Sequence, residues 1–246
     1  MKTAYFRFYE ELNDFLPIEK RKARFENKFI DRTSVKDMIE SLGVPHTEID
    51  LILVNGNSVN FSYLVDDNDD ISVYPVFESF DISDVQHLRD QPLRNPKFVL
   101  DVHLGTLARY LRMIGFDSEY RNNYSDDGIV EISLKDKRII LTRDKGILKR
   151  NNVTRGYWIR NEDPESQLKE VVDRFNLKKQ FKEFERCLEC NTKLEKIDKE
   201  KVIAELPLKV KERQNEFWYC KACNKIYWQG THFEKMKKII ERLFHE

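Results

Sequence analysis

The stretch whose reading decides the fold is FVLDVHLGTLARYLRMIGFDSEY, residues 98–120. Its first residues read as a buried strand that ends on Asp101, and an amphipathic helix over about 103–114 follows at once. In that helix Leu104, Leu107, Leu111 and Ile114 fall near one face while Arg109 and Arg112 share another. FDSEY reads as a second strand, DDGIVEISLKDK as a helix opening at two aspartates, RIILT as a third strand and GYWIR as a fourth. PESQLKEVVDRFN is a further helix, with Pro164 at its start. Strand and helix in alternation predict an α/β unit with a mostly parallel sheet and helices on its faces.

Upstream the rhythm differs. TAYFRFYEEL and FENKFI read as strands, SVKDMIESLGV as a short helix with Thr33 or Ser34 as N-cap, and LILVNGNSVNF as a hairpin turning at Asn55-Gly56. ISVYPVF closes the sheet. Strand, strand, helix and further strands is the order of an α+β β-grasp fold, and this half resembles the ubiquitin-like sulfur carriers in that order. Those carriers end in a Gly-Gly tail for activation. Here the corresponding end, YPVFESFDISD, has no glycine, so a binding or scaffolding module is expected. The acid- and proline-bearing stretch that follows is the expected linker.

A length of 246 residues suits two domains, and 40% hydrophobic with 35% charged residues suits folded, well-solvated ones. No apolar run approaches the ~20 residues of a membrane-spanning helix. Charges at Arg7, Glu10, Glu11 and Asp14 interrupt the first segment as no signal peptide would. A soluble cytoplasmic protein with no membrane partner is therefore expected. The net charge of zero conceals a division: residues 1–95 hold 18 acids and 11 bases, and residues 96–246 hold 25 acids and 32 bases. A basic second half suits a polyanionic partner, because Lys and Arg release counterions from phosphates.

In open α/β sheets ligands sit beyond the carboxyl ends of the strands. Asp101 follows strand one, Asp126 and Asp127 open the helix after strand two, Asp144 follows strand three in ILTRDKG, and Asp163 follows strand four. Each also has a plain structural explanation as a helix cap, first-turn acid or turn residue. Carboxylates gathered at one sheet edge repel one another unless a cation lies between them. Hard oxygen ligands suit Mg²⁺ or Mn²⁺, and such an ion serves phosphodiester hydrolysis.

Four motifs, FVLDVHLGTLARYLRMIGFD, the DD after the second strand, IILTRDKGIL, and two C-x-x-C pairs ending in YWQGTHFEKM, carry a resemblance to the Mut-7 C-terminal RNase domain family. It covers residues 96 to about 240. VPHTEIDLILVNG and YPVF are similar to the ubiquitin-like domain often attached to that family. The resemblance implies a PIN-like nuclease domain fused to a zinc ribbon, and a metal-dependent ribonuclease whose acids hold the ion. By matching motif, Asp101 and Asp144 are the first choices as ligands for Mg or Mn, Asp126 and Asp127 come next, and Asp163 is last. Arg109, Arg112 and Arg143 are the expected RNA contacts, and Thr142 is expected to orient a carboxylate or a water.

Cys187-Leu-Glu-Cys190 and Cys220-Lys-Ala-Cys223 lie 29 residues apart. Two such knuckles present four thiolates to a structural Zn²⁺, and a reducing compartment favours that over disulfides. Asn191 and Asn224 follow the knuckles, where a turn needs a left-handed residue. The stretch between them exceeds the usual short spacing, which a Lys-rich hairpin insertion accommodates. His232 is then a surplus ligand, His103 reads as ordinary surface, and Trp218, Tyr219, Tyr227 and Trp228 either stack on bases or fill the ribbon core. The expected domains are a β-grasp domain over 1–78, a linker over 79–95, a PIN-like domain over 96–180, and a zinc ribbon with C-terminal helix over 181–246. The expected function is a Mg- or Mn-dependent ribonuclease acting on RNA. The alternative is a non-catalytic RNA-binding or adaptor protein that docks a protein partner through its N-terminal domain.

Overall fold

The computed structural model describes residues 1–75 and 95–244, so nearly all of the expected linker lies outside the described residues. The chain forms two compact units, one of residues 1–95 with 144–158, the other of residues 96–143 with 159–246.

In the first unit β1 (Lys2–Phe8) alternates strictly, turning Ala4, Phe6 and Phe8 into the core. It pairs antiparallel with β2 (Phe25–Phe29). A helix α1 (Val35–Ser41) follows, where Ser34 caps by accepting from the Asp37 N–H at 3.1 Å and donates its hydroxyl back to the Asp37 carboxylate at 2.7 Å. The strands β3 (Ile49–Val54) and β4 (Asn57–Ser58) turn at Asn55 and Gly56, with φ of +51° and +82°. That is the left-handed pair a two-residue hairpin requires. Between β1 and β3 runs β5 (Asp70–Pro75), parallel to the former and antiparallel to the latter. The order β2-β1-β5-β3-β4 is a mixed sheet with one helix, as the β-grasp reading expects, and its core holds Phe6, Phe8, Ile39, Ile52 and Ile71.

The second unit is built on β6 (Phe98–Leu100), fully buried along its length. It lies parallel to β7 (Ser118–Glu119) on one side and β8 (Ile139–Thr142) on the other. An unbroken apolar strand is what a central parallel strand needs, because both of its faces are covered. The cover includes α2 (Gly105–Met113), which buries Leu107, Ala108 and Leu111, and α3 (Asp126–Asp136), which buries Ile129 and Val130. Ser125, not Asp126, caps α3 by accepting from the Gly128 N–H.

Two short elements come next in the chain but belong to the first unit: α4 (Lys145–Leu148) and β9 (Gly156–Trp158). His46 Nε2 meets the Val153 carbonyl at 2.7 Å, and Lys149 Nζ donates to the Glu40 carbonyl at 2.9 Å. Glu48 accepts from the Trp158 N–H at 2.6 Å, and the Trp158 ring stands 5.0 Å from that of Phe15. Lys145 lies 3.9 Å over the same indole.

The second unit resumes with α5 (Pro164–Arg174), capped by Asp163 and packed on α2. Its ribbon is the antiparallel sheet of β10 (Glu195–Ile197), β11 (Phe217–Cys220) and β12 (Lys225–Tyr227). The Lys-rich insertion is helical rather than a hairpin: α6 (Lys199–Val202) and α7 (Leu208–Arg213) fill it. Val202 and Leu206 are buried against Phe217, so the insertion completes a small core that the ribbon strands alone would leave open. The chain closes with α8 (Thr231–Phe244).

Candidate functional site

Asp101 stands where β6 ends. Its N–H still continues the ladder by donating to the Leu141 carbonyl, and its side chain turns back on the strand ends, leaving the residue only 7% exposed. Oδ1 accepts from the Val102 N–H at 2.6 Å, and Oδ2 accepts from the Thr142 hydroxyl at 2.8 Å. Capping the short turn at Val102–Leu104 would use only the first of these. A carboxylate is costly to bury, and a hydroxyl from the neighbouring strand aimed at its second oxygen holds it in one orientation. Thr142 therefore does what the sequence suggested, orienting a carboxylate from a fully buried position.

The other acids have different settings. Asp126 and Asp127 are exposed in the first turn of α3, and neither caps the helix. Asp163 is the cap of α5, accepting from the Ser166 N–H and hydroxyl, and those bonds hold its carboxyl below the usual range. Its position is explained by the helix alone. In the first unit Asp144 is exposed and accepts from the Gly146 N–H at 2.7 Å, capping α4. Within the second unit no three described carboxylates converge on one point.

The arginines divide as well. Arg109 is half exposed and pairs with Glu189 at 3.0 Å. Arg112 is 2% exposed, and its guanidinium donates to the carbonyls of Ser118, Leu188 and Glu189. That corrects the reading of Arg112 as a phosphate contact: it is an internal brace fixing the first cysteine knuckle to α2, and burial pushes its pKa down. Arg143 donates to the Asn161 carbonyl and pairs with Glu162 at 2.9 Å.

A groove of about 680 Å³ is lined by Val102, His103, Arg109, Arg121, Asn122, Asn123 and Glu189, so it reaches the residue next to Asp101. It is narrow at Gly105, where a Cβ would stand 2.7 Å from the Tyr120 hydroxyl. That hydroxyl donates to the Val102 carbonyl at 2.9 Å and fixes the loop after β7 against the start of α2. Arg121, Asn122 and Asn123 were absent from the sequence reading. The signal was there, since they follow the carboxyl end of a strand, but the aspartates after them are the stronger chemical lure.

The four cysteines come together, with all Sγ atoms within 4.8 Å of one another. Cys187–Cys223, Cys190–Cys220 and Cys190–Cys223 stand 3.5, 3.3 and 3.8 Å apart. Four sulfurs at ~2.3 Å from one zinc would be ~3.8 Å apart, so the set fits that ion. Burial and the adjoining thiols push Cys223 up, while hydrogen bonds with Thr192 outweigh burial and pull Cys190 down, and four thiolates this close repel one another unless a cation lies between them. The Tyr227 hydroxyl lies 3.0 Å from Cys187 Sγ, ready to donate to a thiolate. Asn191 and Asn224 have φ of +65° and +56°, the left-handed turns the sequence implied. The His232 side chain lies outside the described residues. Trp218 is stacked 3.9 Å from Phe184, which stacks in turn on Phe233, so this aromatic face is used in packing.

The ribbon is tied to the sheet through Asp117, just before β7. Oδ1 accepts from Arg138 at 2.5 Å and from the Asn191 amide at 2.7 Å, while Oδ2 faces Arg186 at 3.2 Å. Burial pushes this carboxyl up, but those hydrogen bonds and the two guanidinium charges outweigh it and hold it below the ordinary range.

The family model described as Mut7-C RNAse domain matches residues 96–240, and the one described as Mut7-C ubiquitin matches residues 1–81. No curated protein and no solved structure matches the chain.

Proposed function

The chain belongs to the Mut7-C RNAse domain family, and on that premise we propose that it is a metal-dependent ribonuclease that hydrolyses RNA phosphodiester bonds. The observation that supports the reading is the buried Asp101 carboxylate, oriented by Thr142 at the end of the central strand, with a groove lined by Arg109 and Arg121 beginning at the next residue, Val102. Its donor set fits Mg²⁺ or Mn²⁺, which take oxygen ligands and need only one or two carboxylates, keeping waters and substrate phosphates for the rest. Asp101 is the proposed ligand in the second unit, and Asp126 or Asp127 is the proposed second acid. Such an ion, when bound, polarises a phosphoryl oxygen and favours ionisation of water. Thr142 keeps Asp101 in one rotamer so that no reorientation precedes reaction. Arg109, half exposed in the groove, and Arg143, partly exposed and paired with Glu162, are the proposed phosphate contacts.

The cysteine set holds a structural zinc in this reading, with four protein ligands and no open position. Four clustered thiols suit a reducing compartment such as the cytoplasm, and no described helix is long and apolar enough to cross a membrane. The N-terminal domain is assigned a protein-docking role, through a sheet edge or its acidic surface.

The test is cleavage of end-labelled single-stranded RNA with Mn²⁺ or Mg²⁺, with chelator, and with Asp101→Asn. Metal-dependent products that vanish in the variant are expected. A folded, zinc-loaded chain that cuts none of a varied set of RNAs refutes the reading in favour of RNA binding without cleavage.

A further inference from the structure

The groove beside Asp101 has a charge pattern that catalysis alone does not require. Arg109 and Arg121 line it with guanidiniums open to solvent, besides the buried Arg112, against one glutamate, and that glutamate, Glu189, comes from the first cysteine knuckle. Arg121, Asn122 and Asn123 also line the groove and are exposed, and Arg121 makes no ion pair among the described residues. Arg109, on α2, is held by Glu189 at 3.0 Å, while Lys225 approaches the same carboxylate at 3.6 Å. The knuckle backbone is held by Arg112, which donates to the carbonyls of Leu188 and Glu189 at 2.9 and 2.8 Å. Only the Glu189 side chain is left to move.

We propose that this groove is the track for the backbone of single-stranded RNA, with Arg109 and Arg121 meeting successive phosphates, and that Glu189 is an internal competitor for Arg109. In the free chain the Glu189 carboxylate occupies the place of a phosphate. When RNA enters, a phosphate takes over the guanidinium and Glu189 turns to solvent. Exposed ion pairs of this kind are weak, so the exchange is easy for a polyanion and hard for a lone acidic ligand. The knuckle thus sets a threshold: strands offering several phosphates at once displace Glu189, and short ones do not. Asn122 and Asn123 present amides with both donors and acceptors, suited to 2′-hydroxyls and base edges along the same path.

The inference rests on the RNA-directed reading above, so it is tested by binding and not by cutting. The full-length, zinc-loaded chain carrying Asp101→Asn is titrated against fluorescein-labelled oligouridylate of 4 and of 15 nucleotides, and anisotropy is followed over a range of salt. Glu189→Gln should tighten binding of the short strand about threefold at low salt, the size expected for freeing one exposed pair. Arg109→Ala and Arg121→Ala should each weaken the long strand and lower the salt slope by about 0.7, one phosphate on a single strand. Because Glu189 acts through Arg109, Glu189→Gln should lose most of its gain in the Arg109→Ala background. The same gain in both backgrounds would reduce Glu189 to a general charge effect and overturn the competitor role. Unchanged affinity in both arginine variants would overturn the track. A chain that binds as expected but whose native form never cuts overturns only the cleavage reading.

Discussion

Replacing Asp117 by asparagine should be among the most costly single changes in the second unit. The carboxylate stands between two guanidinium groups, with Asp117, Arg138 and Arg186 side chains only 15%, 10% and 14% exposed. The substituted amide would keep the volume and could still accept one bond, but it would leave the buried Arg186 without the carboxylate it faces and Arg138 with only the partly exposed Asp136 at 3.2 Å. Breaking such a buried pair costs about 3–5 kcal/mol, and the slight exposure argues for the lower end. Taking about 3 kcal/mol, the folding equilibrium falls by roughly a hundredfold, and Tm by about 6–12 °C for a unit of this size. The assay is urea unfolding at fixed excess zinc, followed by far-UV circular dichroism for the native and Asp117→Asn chains at pH 7 and downward. Because the folded pKa lies below the ordinary value of 3.8, this carboxylate contributes stability that is fully present above that value. The contribution is lost as pH falls through the folded pKa. The difference between the two chains should therefore hold from neutrality to about pH 4 and close below it. A loss under about 1 kcal/mol, or a gap that stays open in strong acid, would refute the electrostatic account.

Thr142→Val should lower single-turnover RNA cleavage roughly tenfold at unchanged KM, the scale of losing an orienting partner, and equal cleavage would show that Thr142 does not position Asp101. Cys220→Ser should lower zinc content below one per chain and loosen the ribbon, read as a change in Trp218 and Trp228 fluorescence; retained zinc and an unaltered spectrum would contradict the four-thiolate site. His46→Ala removes the contact to the Val153 carbonyl, so amides of residues 149–158 should exchange faster while Val99 in β6 stays protected. Uniform exchange across both units would show that His46 does not hold that segment.

Local chemistry made much of this fold legible. Asn55-Gly56 announced its turn, Ser34 its cap, Phe98–Leu100 a central strand, and Asn191 and Asn224 the left-handed ends of the knuckles. Each of these signals lies within a few residues of its effect. Arg112 misled because helical periodicity says which residues share a face, not what arrives to cover it; its partners come from 76 and 77 residues downstream. The helices α6 and α7 were hidden because their burial depends on Phe217, which the sequence brings in only later. Of the candidate site, Asp101 and Thr142 were legible from their strand ends. The exposed loop after β7 carries no periodicity and could be weighed only once the groove was seen.

The membership of residues 144–158 in the first unit also bears on how the chain comes off the ribosome. The five-strand sheet is fully synthesised once Pro75 has emerged, yet Glu48 and His46 then wait for their partners on Trp158 and Val153. At about 5–20 residues per second, that is an interval of roughly 4–16 s. During it Phe15 lacks the indole that later covers it, and a chaperone has its opening there. Slower synthesis of the intervening residues lengthens, in proportion, the time for which those partners are missing.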